Sequence, residues 1–246
     1  MVDGSAAVAA GKMLDIRQAG PIERSDVPVT TGDDVLSVTG ADTIVIADDS
    51  VAGPWEGERG LALVQQLQRA GTRAAFVFAA PGQVWLMERC YRELGLTADR
   101  LIGTAPSAVV GAVRALAGLE LGLSSVQLTV VGRPPALVVG WSAASADGSL
   151  LTDRVAPHRL LAISRSLPKL WPPGPYAIGA ATAEVVEALG WGTRRLLPAL
   201  TILDAELGVR GTAVMLPLEL GRHRVISHVM PSLSPQEHTE MIGGLG

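Results

Sequence analysis

The sequence predicts an α/β fold, and two observations carry that reading. Hydrophobic residues make up 48% of the 246 residues but aromatics only 4%, so Ala, Val, Leu and Gly must fill close-packed layers of helix on sheet. Short apolar runs such as residues 43–47 (TIVIA) and 74–79 (AAFVFA) are also separated by longer segments of helical character. A chain of this length can bury a sizeable core as one large domain or two closely joined halves.

Taken in order, the chain opens with two residues of strand. Ser5 is then a candidate N-cap for an alanine-rich helix that should end near Gly20-Pro21. A short polar strand follows at residues 27–31, and the apolar strand 43–47 runs into the adjacent carboxylates Asp48 and Asp49. Residues 51–59 are rich in Gly and Pro and read as a loop before a helix over residues 60–70. After the strand 74–79, Pro81 sets a turn into the pattern WLMERCYREL, where Cys90 reads as a buried structural thiol. Residues 100–136 give a strand end, an amphipathic helix and an extended apolar run closed by Gly-Arg-Pro-Pro. Helices at residues 157–167 and 177–189, a hairpin at 196–220, a strand at 224–229 and a closing helix from Pro235, capped by Ser234, complete the chain.

Composition excludes several classes of function. The chain carries 20 basic and 24 acidic side chains, and the basic ones are scattered along it, so nucleic acid is not an expected partner. One cysteine allows no internal disulfide framework and fits a reducing cytoplasm. No apolar run approaches the ~18 residues of a membrane span, and Asp3 stands where a signal peptide would be basic. His158, His223, His228 and His238 lack metal-ligand spacing, so no metal is expected. There is no G-x-S-x-G elbow, P-loop or Ser/His/Asp set.

Arg100–Gly103 (RLIG), Glu120 to Leu123 (ELGL) and the apolar run ending at Gly132 resemble the lactate/malate dehydrogenase family. There R-[VL]-I-G, E-[LK]-L-G-[VL] and a strand entering G-x-H-G-D occur in this order. Residues 11–16 (GKMLDI) are similar to the family's G-[KE]-x-x-D-[ML], and Gly208, Gly211, Pro217 and Gly221 keep step with its C-terminal hairpin. The resemblance implies a Rossmann-like parallel sheet over residues 1–102 that lacks the first strand, glycine loop and helix. An α+β half of the dehydrogenase type follows over residues 103–246. It implies NAD as the family's cofactor, with Asp3 on the adenosine ribose. It also implies a homodimer through helices matching residues 11–19 and 177–189.

The chemical positions depart from the pattern. In register, the proton-accepting histidine is Pro134, the aspartate that orients it is Val109, and the arginine that clamps substrate carboxylate is Ala112. The substrate-binding asparagine is Ala80, and the lid arginine that selects a dicarboxylate falls at Ala52 or Gly53. Arg59, matching the arginine that polarises the carbonyl, is the one retained catalytic candidate. No G-x-G-x-x-G occurs, so either the phosphate-binding turn has been lost or Met1 is an internal methionine. No cofactor is therefore expected for the chain as given.

The resulting expectation is a pseudoenzyme of this lineage serving as a structural or regulatory subunit, as a homodimer or beside a complete dehydrogenase subunit. The alternative is an active NAD-dependent malate/lactate-type dehydrogenase with a divergent site. Without a central first strand, residues 43–47 should form a bare edge, covered by residues 27–31, by the helix at residues 6–19, or by a second subunit.

Overall fold

A computed structural model describes residues 1–48 and 53–246. The Ser5 hydroxyl accepts the Val8 N–H and starts α1 (Ala6–Glu23). The helix does not stop at Gly20-Pro21 as expected. Pro21 is accommodated in its last turn, and the Gly20 carbonyl takes the Ser25 N–H as Arg24 turns left-handed. The polar strand expected at residues 27–31 does not form a ladder. The extended chain there pairs only at Gly32, in a parallel bridge to Val2, so it does not slide across to the strand at residues 43–46.

β1 (Thr43–Ile46), α2 (Gly57–Arg69), β2 (Ala75–Phe78), α3 (Val84–Leu94), β3 (Leu101–Gly103) and α4 (Ala105–Leu121) follow as alternating strands and helices. The second half supplies β4 (Val130–Arg133), β5 (Ala136–Val139), β6 (Ser145–Ala146) and β7 (Ser149–Leu150). After these come α5 (Leu151–Arg154), α6 (Pro157–Ser164) and α7 (Pro175–Trp191). The chain ends with β8 (Leu196–Asp204), β9 (Arg210–Gly221), β10 (Arg224–His228) and α8 (Pro235–Gly243). α6 stops at Ser164, short of the expected residue 167, because Pro168 lies in the short 3-10 turn that follows. α2 begins at Gly57, three residues earlier than expected, so Arg59 lies inside its first turn.

The main sheet runs in the order β1-β2-β3-β8-β9-β4-β5, with β10 on β9. β1, β2 and β3 are parallel, as their connecting helices require; every later pairing is antiparallel. A single register pair, Gly103 with Leu200, joins the parallel strands to the antiparallel ones. The sheet's two faces carry separate cores: Phe76 and Phe78 face one, and Val77, between them, faces the other. Cys90 is fully buried in the first, and burial pushes its thiol up to about 12. β1 pairs with β2 alone among the described residues, and Val45 on it is exposed. α1, with only Ala9 buried, does not fold over that edge.

One buried ion pair ties three elements together. Glu88 on α3 is 2% exposed; its carboxylate receives Arg133 of β4 at 3.0 and 3.1 Å, Arg92 at 3.4 Å, and the Ala213 N–H of β9 at 2.9 Å. Ser234 and Glu237 form a capping box on α8, and the Ser142 hydroxyl bridges to Glu237. Burial tends to raise the Glu237 carboxyl, but hydrogen bonds from Ser142 and Ser234 hold it below the usual range.

Removing the Glu88 carboxylate leaves the half-buried Arg133 guanidinium uncompensated. Glu88→Ala is expected to lower stability by about 3–5 kcal/mol in urea unfolding, and the apolar pair Glu88→Met/Arg133→Leu to recover most of that loss. If Glu88→Ala unfolds within about 0.5 kcal/mol of the parent, inside the usual range for surface substitutions, the pair does not tie the elements.

Candidate functional site

In a parallel α/β sheet, ligands approach the C-terminal ends of the strands. Here those ends are the segments after Ile46, Phe78 and Gly103. The chain after β2 turns through Pro81-Gly82-Gln83 into α3. Gln83 is fully buried, and its Oε1 accepts the Ala80 N–H, so it caps the turn from within. Its Nε2 is buried without a partner among the described residues. The Glu56 carboxylate lies over Gly82 where a Cβ would stand, so any larger residue at 82 would displace it.

Each position singled out in the sequence has a definite place. The Arg59 Nη1 donates to the carbonyls of Gly53 and Pro54 at 3.2 and 3.1 Å, and the guanidinium stacks 3.7 Å from the Trp55 ring centroid. Its guanidinium is thus engaged by its own lid. Val109 is fully exposed to nothing but the core, at 0% accessibility on α4, and Ala112 is half-buried one turn later. Pro134 begins the two-residue turn that links Arg133 to Ala136 in the β4–β5 hairpin. The side chains at positions 109, 112 and 134 carry no group that transfers a proton or binds an anion.

Asp3 is buried in a local cap. Its Oδ1 accepts the Ser5 N–H at 3.0 Å and its Oδ2 pairs with Lys12 at 3.2 Å, which binds the N-terminal strand residue to α1. Asp48 is exposed just after β1, whereas Asp49 and Ala52 lie outside the described residues. His223 faces Asp42 at 3.7 Å and His228 faces Glu206 at 3.5 Å. Among the described residues, no group of three His, Cys, Asp or Glu could hold a metal.

Sequence reasoning missed the residues that the structure does gather here. Arg133, next to Pro134, is bidentate to Glu88 and lies 4.2 Å over the Trp85 ring. The signal was present in α3. Val84, Met87, Glu88 and Tyr91 follow the i, i+3, i+4, i+7 spacing of one helix face, which places a glutamate among apolar residues that bury. Its basic partner, 45 residues away in sequence, carries no comparable signal.

No family model matches the chain. Over 248 residues it is 24% identical to a malate dehydrogenase of Rhodopirellula baltica, covering 92% of this chain and 79% of that protein. A malate dehydrogenase of Thermomicrobium roseum is 26% identical over 251 residues, covering 94% of this chain and 81% of the relative. Among solved structures, the Cryptosporidium parvum lactate dehydrogenase complexed with lactic acid and nicotinamide adenine dinucleotide superposes with a TM-score of 0.87 at 18% identity. That match covers 99% of this chain and 85% of the other. A minor L-lactate dehydrogenase from Enterococcus mundtii gives 0.82 at 20% identity, over 95% and 82%. Similarity to malate dehydrogenases along nearly the whole chain, and the same fold in the solved lactate dehydrogenases, bear out the resemblance to the lactate/malate dehydrogenase family.

Proposed function

We propose that this chain is a non-catalytic descendant of the malate/lactate dehydrogenases, acting as a structural or regulatory subunit in the cytoplasm. One observation carries the reading. The position matched to the proton-accepting histidine is Pro134, and the neighbouring charged residue, Arg133, is bound to buried Glu88. Proton transfer and carboxylate clamping both need groups that these side chains lack. Arg59, the retained candidate, is folded against its own lid carbonyls. The alternative, an active dehydrogenase with a divergent site, would rest on Arg59 alone.

The residues present do not fit the family's NAD. Asp3 spends its two oxygens on Ser5 and Lys12 rather than facing a ribose. Asp48 also adds negative charge beside the end of β1.

Assembly is the remaining role, through a division into residues 1–102 and 103–246 in which α1 of the first part stays sparsely packed. α1 exposes Leu14, Ile16 and Ile22 and buries only Ala9, too little apolar burial to hold an 18-residue helix by packing. α7 exposes Tyr176 with the small residues Ala177, Ala180 and Ala183. Large side chains on one helix and a small-residue face on the other suit a two-fold homodimer, each α1 against the partner's α7. A complete dehydrogenase subunit would offer the same kind of face.

Purified protein should show no turnover of malate or lactate with NAD, since loss of the base alone costs about 10²–10⁴-fold. Turnover that disappears in Arg59→Ala would favour the active-enzyme reading. Calorimetry with NADH should give no saturable binding at micromolar concentration; saturation there would mean that another cradle exists. Light scattering should report a dimer at low protein concentration. A monomer whose Thr43–Ile46 amides exchange slowly would show instead that the edge of β1 is protected within one chain.

A further inference from the structure

The basic residues are scattered in the sequence, but folding gathers several of them at one end of the molecule. The β9–β10 turn reaches the N-terminal ends of the parallel strands, because His223 faces Asp42 just before β1 and Arg224 faces Asp99 just before β3. The C-cap of α7 joins this turn: the Arg194 N–H bonds the Leu220 carbonyl, and Gly192 packs on Arg222. Residues 191–195 (WGTRR) and 220–224 (LGRHR) thus lie side by side, with four arginines and no carboxylate of their own. This end is opposite the C-terminal strand ends where the family cleft lies.

Neighbouring acids pair with three of the four arginines, but through exposed contacts that an incoming carboxylate can replace. Arg194 reaches Glu219 at 3.7 Å and Arg224 reaches Asp99 at 3.6 Å, through side chains that are 71% and 66% exposed. Exposed pairs of this kind bind loosely. Arg195 makes a shorter contact, 2.7 Å to Glu184, also exposed. Arg222 is exposed and has no ion pair among the described residues. The partly buried Arg100 adds a further positive charge close to Arg224. Large apolar side chains stand among the arginines: Trp191 is 77% exposed, Leu196 54% and Ile226 44%.

We propose that this face docks an acidic polypeptide segment carrying an apolar residue, with Trp191 as the anchor and Arg194, Arg222 and Arg224 as the charge-reading groups. Tryptophan and arginine together are the residue types that dominate protein interfaces. A nucleic-acid backbone is a poorer match, because the aliphatic Leu196 and Ile226 exposed beside Trp191 suit an apolar side chain and give a base nothing to stack on. No pocket is needed, since the occupant lies on the surface. The inference goes beyond the subunit reading above and does not depend on whether the cleft binds a dinucleotide.

Titration of the full chain with fluorescent poly-L-glutamate, watched by anisotropy, tests it. Binding should weaken severalfold between 50 and 200 mM NaCl, as screening shortens the reach of exposed charges. Arg222→Glu/Arg224→Glu should lower affinity at least tenfold, and Trp191→Ala should lower affinity for a glutamate peptide containing one leucine more than for poly-L-glutamate. All of these positions are exposed, so unchanged melting temperatures should accompany the losses. Three results each overturn the proposal: no binding of either peptide, binding unaffected by the charge reversals, or tighter binding of single-stranded DNA or phosphatidylserine vesicles than of poly-L-glutamate.

Discussion

Glu88 is the carboxylate on which the junction of this fold depends. It is a charge taken out of water inside an apolar layer, a state that is stable only where the lone pairs are fully used. Arg133, Arg92 and the Ala213 N–H use them, and in doing so they fix α3 to the end of β4 and to β9. The hydrogen-bonded junction between the parallel and antiparallel strands is otherwise narrow, a single register pair at Gly103. Side-chain packing and this ion pair therefore carry much of the coupling between the two halves. The same pair takes up the only charged side chain beside Pro134.

How much of this was legible in the sequence follows from the range of each interaction. Ser5 and Ser234 were readable as caps because a cap is satisfied within three residues. The strands at residues 43–46 and 75–78 were readable because a buried parallel strand is a short continuous apolar run. Residues 27–31 misled because polar extended chain looks alike whether or not a partner strand lies beside it. Pro21 misled for a different reason: a proline removes one bond to the preceding turn, and here the helix runs two residues past it, to Glu23, despite that loss. The Glu88–Arg133 pair and the arginine face at α7 and β10 join segments far apart in the chain, and single-sequence reasoning has no term for that.

The scaffold of this chain and the polar groups a site would need obey separate constraints. Gly132 has φ +110°, and a Cβ there would meet the Ala136 carbonyl at 2.8 Å, so the hairpin can be built only with glycine. That requirement holds whatever reaction takes place beyond the turn. A histidine, aspartate and arginine set in the same region imposes the opposite requirement. Each polar group must be desolvated and held by partners, which tends to lower stability in return for activity. With Val109 in the core and Ala112 half-buried beside it, α4 packs without that burden. Positions 109 and 112 can take apolar residues without disturbing the helix, but position 132 cannot give up its glycine. The agreement in fold at about one-fifth sequence identity is what this asymmetry produces.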